Sequence, residues 1–263
     1  MAASTLSKTR YRLTVTNLMM SLIVKGMMEN HRSITFPLIR DYFGISYDQY
    51  GLFTSLLTVF YMVAMLICTL MSTYINYKMV IIVAYCCMIL GSVGVIFAKS
   101  FGFAVFSIMI IWLGHGFFDV SANASSTLIF TKNTGVMMSL MHFYYGIGAL
   151  AGPNIASWSV KLLHNNFYSA YQVFLVICVV CLIACILLPF DLPEGSPFET
   201  KNNAESLTIK KSLKTPLIYI ASLAIGPLLL TEQSGSAWAP LYLVDVLGYS
   251  IEKDIPVFTS PCM

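Results

Sequence analysis

Charge is what this chain has least of. Only 10% of its 263 residues are Asp, Glu, Lys or Arg, against about 25% in ordinary soluble domains. With 57% hydrophobic residues and a mean hydropathy of +0.77, a soluble fold would lack the polar surface to cover itself. The shortage excludes that class and points to an all-α polytopic membrane protein. A net charge of +3 is too small to imply nucleic acid. A secretory disulfide framework is missing too. Cys68, Cys86, Cys87, Cys178, Cys181 and Cys185 all lie inside apolar runs, which leaves Cys262 as the single exposed candidate. Cys178, Cys181 and Cys185 recur at helical spacing and read as small packing residues rather than metal ligands. No cleavable signal peptide is visible, because Lys25, Glu29 and Arg32 interrupt the first apolar segment. There is no zinc-protease HExxH, no paired catalytic Asp and no defensible Ser–His arrangement on adjacent spans. An enzyme therefore lacks support, and no metal or cofactor is implied.

What the chain does have is a series of apolar runs long enough to cross hydrocarbon, which takes about 20 residues each. They fall near 13–36, 50–71, 79–97, 103–130, 136–160, 170–190 and 217–247. The organisation expected is a six-helix unit over 1–190, a cytoplasmic linker over 191–215, and a seventh helix with a short non-spanning tail over 216–263. The linker is marked by Pro193, Gly195, Pro197, Lys201, Glu205, Lys210, Lys211 and Lys214. With the N-terminus inside, the cytoplasmic side receives Lys8, Arg10, Arg12, Lys78, Lys132, Lys201, Lys210, Lys211 and Lys214. The other side receives Arg40, Lys99, Lys161 and Lys253. Basic residues concentrate on cytoplasmic loops, so the N-terminus is expected in the cytoplasm. That counts against a seven-span receptor of the G-protein-coupled kind, whose N-terminus lies outside.

Several spans carry polar residues that a plain anchor would not. In the fourth, His115, Asp119 and Asn123 share one helical stripe, with Trp112 and Ser126 beside it. An ionised Asp at mid-bilayer costs roughly 2.5–3.5 kcal/mol, and such residues usually face a protein interior or a wet cavity. The first span places Ser21, Lys25, Glu29 and Arg32 within a narrow sector. Three charges facing lipid would cost on the order of 8–10 kcal/mol, so this stripe turns inward. Lys25 and Glu29 can pair at i, i+4, as a neutral structural pair or as a solute or proton site. In the fifth span Gly148 and Gly152 give a small-xxx-small packing pattern, Pro153 permits a bend, and His142 and Tyr145 are weaker cavity candidates. In the seventh, Glu232 and Gln233 with Trp238 suit a hydroxyl-rich ligand, or else Trp238 is an interfacial anchor. Spans one and four each carry a glycine, an acid and an amide. Such correspondence at a three-span offset is what nested inverted repeats produce.

These stretches together resemble the major facilitator superfamily, closest to its fucose-permease-like branch and related fungal transporters. The resemblance rests on Gly26 and Pro37 in span one and on Tyr77-Lys78 before span three. It rests also on Leu113-Gly114-x-Gly116-x-x-Asp119-x-x-Ala122-Asn123 in span four. The Gly146-x-Gly148-x-x-x-Gly152-Pro153 run in span five and Glu232 in span seven complete it. It implies two six-helix bundles around a central cavity, alternating access, and solute–proton symport, often of sugars. By position, Asp119 takes the branch's span-four acid, implicated in proton and substrate handling, and Asn123 the neighbouring amide. The branch's span-one acid aligns with Asn30, whereas the acid here is Glu29. The superfamily's Gly-Asp-Arg-rich loop between spans two and three is reduced to Asn76, Tyr77 and Lys78.

The expectation is a six-helix N-terminal bundle of the major facilitator fold plus a seventh transmembrane helix, apparently truncated after that span. Its function is expected to be secondary active transport of a small polar solute, such as a sugar, with proton coupling, in the plasma membrane. Substrate or proton contacts fall to Glu29, Asn30, His115, Asp119, Asn123, His142, Glu232 and Trp238. Lys25 and Glu29 form a charge pair, and Gly148, Gly152 and Pro153 pack helices. Partners would be the lipid bilayer, the solute, the proton, and a second half-transporter chain or a second copy. The rival expectation is a non-transporting, truncated membrane protein.

Overall fold

The apolar runs fold as helices, and the short polar breaks between them end those helices. The computed structural model describes residues 8–71, 76–130, 133–163, 166–190 and 214–250; the side chains of Lys8, Ala221, Leu228, Leu229, Glu232 and Gln233 are outside that description. The helices are α1 (Lys8–Asn30), α2 (Arg32–Phe43), α3 (Tyr47–Met71), α4 (Tyr77–Ile96), α5 (Phe101–Ile129), α6 (Thr134–Leu162), α7 (Tyr168–Leu187) and α8 (Pro216–Asp245). Local signals explain several ends. Asn76 caps α4, its side chain accepting from the Lys78 amide at 2.9 Å, and Ser100 caps α5. Gly44 closes α2 at φ +61, where a side chain would be strained. Pro216 opens α8, where its missing N–H costs nothing. The expected linker, apart from Lys214 and Thr215, lies outside the described residues. So do the tail beyond Ser250, Cys262, and the basic residues Lys132, Lys201, Lys210, Lys211 and Lys253.

Spans two to seven coincide with α3 to α8 to within a turn. The first does not: instead of one helix over 13–36, α1 and α2 meet at a turn on His31 and run on to Phe43. The His31 ring packs against Tyr171 and Phe174 of α7, with centroids 5.0 and 4.6 Å away. Ser33 donates to the Asn30 carbonyl at 3.0 Å, and Pro37 withholds a backbone donor one turn later. By length and composition α3, α4, α5 and α7 qualify as spans on their own. The polar faces of α1 and α6 lower their hydropathy, as expected of helices turned toward a polar interior.

The most extensive pairings are α4 with α5, α1 with α6, α3 with α5, and α4 with α7. Exchanging the first three spans for the next three maps α1–α6 onto α5–α3 and α4–α7 onto itself, whereas α4–α5 maps onto the much slighter α7–α1 pairing. The α1–α6 and α3–α5 crossings are close because glycine is there. A Cβ at Gly148 would run into the Ile23 carbonyl, and one at Gly152 would come within 2.6 Å of the Met27 carbonyl. One at Gly116 would come within 2.6 Å of the Tyr61 carbonyl. Pro153, also buried, lies in α6 beside the first of these crossings.

Successive spans run up and down, so the bundle has a near side, where α1 starts, and a far side, where α2 ends. On the near side Lys78 donates to the carbonyls of Ile186 and Leu188 at 3.2 and 3.0 Å. There too Thr14 donates to the Pro189 carbonyl at 3.3 Å. On the far side rings pack α2 against its neighbours: Tyr42 and Phe43 meet Phe167, and Phe43 meets Phe101. The last helix, α8, is held there. Leu241 is buried against the bundle, whereas Leu217, Tyr219, Ile220 and Leu223 near its start are exposed. Arg40 Nη1 lies 3.0 Å from Asp245 Oδ2, which also accepts from the Tyr47 hydroxyl at 2.6 Å. The Tyr50 hydroxyl donates to the Ala237 carbonyl at 3.0 Å.

Candidate functional site

Buried charge needs a partner, and in this bundle the partners come from four helices. Lys25 Nζ of α1 is 2.5 Å from Glu29 Oε2 on its own helix and 3.0 Å from Asp119 Oδ2 on α5. The three side chains are 7%, 8% and 16% exposed, so the lysine is sealed in while Asp119 keeps some access. Tyr61 of α3 donates to Asp119 Oδ2 at 2.6 Å, and Tyr145 of α6 donates to Glu29 Oε2 at 2.9 Å. Lys25 Nζ also sits 4.7 Å from the centre of the Tyr145 ring, within cation–π range. Asn30 donates to the Tyr145 hydroxyl at 3.2 Å and to the Gly26 carbonyl at 2.9 Å. Each carboxylate thus spends one oxygen on an ammonium and a phenol, and its other oxygen accepts no hydrogen bond among the described residues.

The cluster is built twice over. Gly26 precedes Glu29 by the same interval that separates Gly116 from Asp119. A Cβ at Gly26 would strike the Tyr145 carbonyl, and one at Gly116 the Tyr61 carbonyl. In each half, then, a bare glycine lets a neighbouring helix approach, and the tyrosine at that contact reaches the acid one turn on. The two halves differ in their cation. The pairs Lys25–His115, Gly26–Gly116 and Glu29–Asp119 share one sequence offset, so His115 stands where the first half has its lysine. His115 is 1% exposed, its Nδ1 has no hydrogen-bond partner among the described residues, and its ring is 6.0 Å from Trp112.

Around this centre the expected site residues separate into groups. Glu29, Asn30, Asp119 and Lys25 come together, and His115 lies one turn before Asp119 on the same face of α5. Asn123, one turn nearer the near side, is exposed and donates to the Asp119 carbonyl at 2.9 Å, so it borders the cluster without entering it. His142, on α6 and nearer the near side than Tyr145, is exposed. Trp238 lies elsewhere: it is 41% exposed and packs on Tyr50 at 5.5 Å, near the far end of α3. Tyr50 precedes Tyr61 by about 16 Å of helix at 1.5 Å per residue. The side chain of Glu232 lies outside the described residues. Arg32 stacks over Trp112 at 5.2 Å, about 10 Å along the helix from Lys25 toward the far side. Of the tyrosines, Tyr61 escaped sequence reasoning; its one signal was a hydroxyl within the apolar run Leu56–Met65. Among the described residues no group of His, Cys, Asp and Glu is arranged to hold a metal.

Comparison with known proteins gives a consistent picture. A family model described as Major Facilitator Superfamily matches residues 18–263. A bacterial homologue of the human lysosomal transporter Spinster, inward-facing and unoccupied, superimposes with a TM-score of 0.73 at 14% identity, covering 97% of this chain and 60% of that one. Its occupied form gives 0.73 at 15%, covering 97% and 59%. A bacterial homologue of the human drug peptide transporters gives 0.64 at 16%, covering 90% and 55%. Identities this low speak for the fold alone, and the chain spans at most 60% of the length of these neighbours. Curated proteins gave no match.

Proposed function

The chain belongs to the Major Facilitator Superfamily, and from that premise we propose that it forms part of a secondary active transporter moving a small polar solute by alternating access. The family and its transporter neighbours mark a carrier rather than an enzyme. The observation that supports this reading best is the lysine shared between Glu29 and Asp119. It ties two helices from opposite halves of the bundle at a point that is nearly dry. A packing bolt needs one acid for one lysine; the second acid makes the arrangement responsive. When Asp119 takes a proton its attraction for Lys25 lapses, and the link between α1 and α5 loosens.

Access supports the same reading. Asn123 and His142 lie exposed on the near side of the cluster, on the face a second bundle would cover, while the Arg40–Asp245–Tyr47 contacts join α8 to the bundle on the far side. With the N-terminus in the cytoplasm, of the plasma membrane in this proposal, that is a carrier open inward. The fucose-permease-like pattern around Asp119 favours a sugar-sized cargo. A second bundle completes the wall facing α1, α3, α5 and α6, whether it is supplied by further sequence, a second copy or another chain. The test is flux. Proteoliposomes holding the chain should take up solute with a proton gradient, and Asp119→Asn should abolish the gradient dependence. Gradient-driven uptake that is indifferent to Asp119→Asn and Glu29→Gln would refute the assignment.

A further inference from the structure

We propose that the Lys25–Asp119 contact marks an ammonium-binding half-site, and that the cargo carries a cationic amine which takes Asp119 over from Lys25. This rests on the carrier reading and names its substrate class. The surroundings of the Lys25 ammonium are those that recognise any ammonium: two carboxylates, at 2.5 and 3.0 Å, and the face of Tyr145 at 4.7 Å. The chain's own lysine fills the place, so the chemistry of the pocket is already declared by its occupant.

The repeat shows which half is open to exchange. Glu29 has its own lysine one turn away on the same helix, whereas Asp119 has His115 at the equivalent place and borrows Lys25 across the bundle. His115 is sealed from solvent with Nδ1 unpartnered, so it does not discharge that role here. Asp119 is also the more exposed acid, it has an oxygen to spare, and Asn123 borders it on the accessible side. The charged and titratable groups facing Lys25 are Glu29 from α1, Asp119 and His115 from α5, Tyr61 from α3 and Tyr145 from α6, with Arg32 two turns off over Trp112. Within that set Lys25 is the cation that both acids contact, and Arg32, one turn beyond Glu29, acts on Glu29 rather than on Asp119. An incoming amine restores balance: it pairs with Asp119, and Lys25 falls back on Glu29. A neutral sugar offers no such exchange.

The probe is butylammonium, a free copy of the lysine side chain, tested against glucose at matched ionic strength. Thermal unfolding of the purified chain in detergent reads the binding. Butylammonium should raise the midpoint of the wild type and glucose should not. Asp119→Asn should erase the rise. His115→Lys, which gives Asp119 a lysine of its own, should erase it as well while the protein stays folded. Lys25→Met removes the competitor, and the apparent affinity should tighten about tenfold if the lysine holds Asp119 nine-tenths of the time. Should Lys25→Met fail to fold, the wild type, Asp119→Asn and His115→Lys decide the matter. Stabilisation by glucose alone, or a butylammonium effect that survives both substitutions, overturns the proposal and leaves the carrier reading standing. Butylammonium binding of the expected pattern without any flux overturns the carrier reading instead.

Discussion

Removing the Lys25 ammonium is the sharpest perturbation this structure offers. In Lys25→Met the side chain keeps its apolar stem and all but the last atom of its length, so little packing is lost. The two carboxylates are left facing each other, 8% and 16% exposed, with phenols, an amide and the His115 ring around them and Arg32 one turn beyond Glu29. Breaking a buried pair by deleting one partner costs about 3–5 kcal/mol, because the remaining charge is stranded. At roughly 2–4 °C per kcal/mol for a chain of this size, the midpoint should drop by about 6–20 °C. Asp119→Asn is milder: Lys25 keeps Glu29, and the loss is that of one charged hydrogen bond, about 1.5–3 kcal/mol. The combination is the decisive measurement. Lys25→Met with Asp119→Asn removes one charge of each sign, so it should be more stable than the sum of the single losses by about 1–3 kcal/mol. Unfolding in detergent, followed by tryptophan fluorescence, gives all four corners of the cycle. Strict additivity, or a Lys25→Met protein as stable as the wild type, would show that the lysine does not bridge the acids.

Other expectations follow from the same geometry. Gly148→Ala drives a methyl into the Ile23 carbonyl and should cost about 1–3 kcal/mol, whereas Gly146→Ala, with open space around it, should be near neutral in the same unfolding assay. Arg40→Ala should lower stability by only about 0.2–1 kcal/mol, yet it should red-shift Trp238 emission as the far end of α8 loosens. In a Cys262→Ser background, cysteines introduced at Asn123 and His142 should react with a membrane-impermeant maleimide from the cytoplasmic side only, with Cys178, buried in α7, as the protected control. Labelling from the opposite side would reverse the proposed orientation.

Much of the fold was legible because apolar runs of membrane length leave few alternatives, and polar breaks such as Asn76 and Ser100 also cap the helices that follow. The turn at His31 was not legible. Pro37 hinted at a break in this span, but the packing of His31 on Tyr171 and Phe174 of α7 has no local signature. At the site, helical periodicity was enough to pair Lys25 with Glu29, since both lie on one helix. That Lys25 also reaches Asp119, and that Tyr61 joins it, depends on how closely α5 can approach α3, and the clue to that was a glycine, Gly116. The Asp119–Asn123 stripe was visible as a stripe, but its exposure gradient depends on which neighbours cover each turn. Trp238 illustrates the limit: Glu232 and Gln233 beside it suggested a hydroxyl-rich ligand or else an interfacial anchor, and its contact with Tyr50 depends on where α8 meets the bundle, which local sequence does not carry.

The near-side anchorage of α7 carries a mechanical consequence. Its final carbonyls are gripped by the Lys78 ammonium, and Thr14 holds the next one. The chain leaves toward α8 immediately beyond that grip. Tension arriving along the connecting segment is therefore passed to the starts of α1 and α4 at once, before α7 can fray.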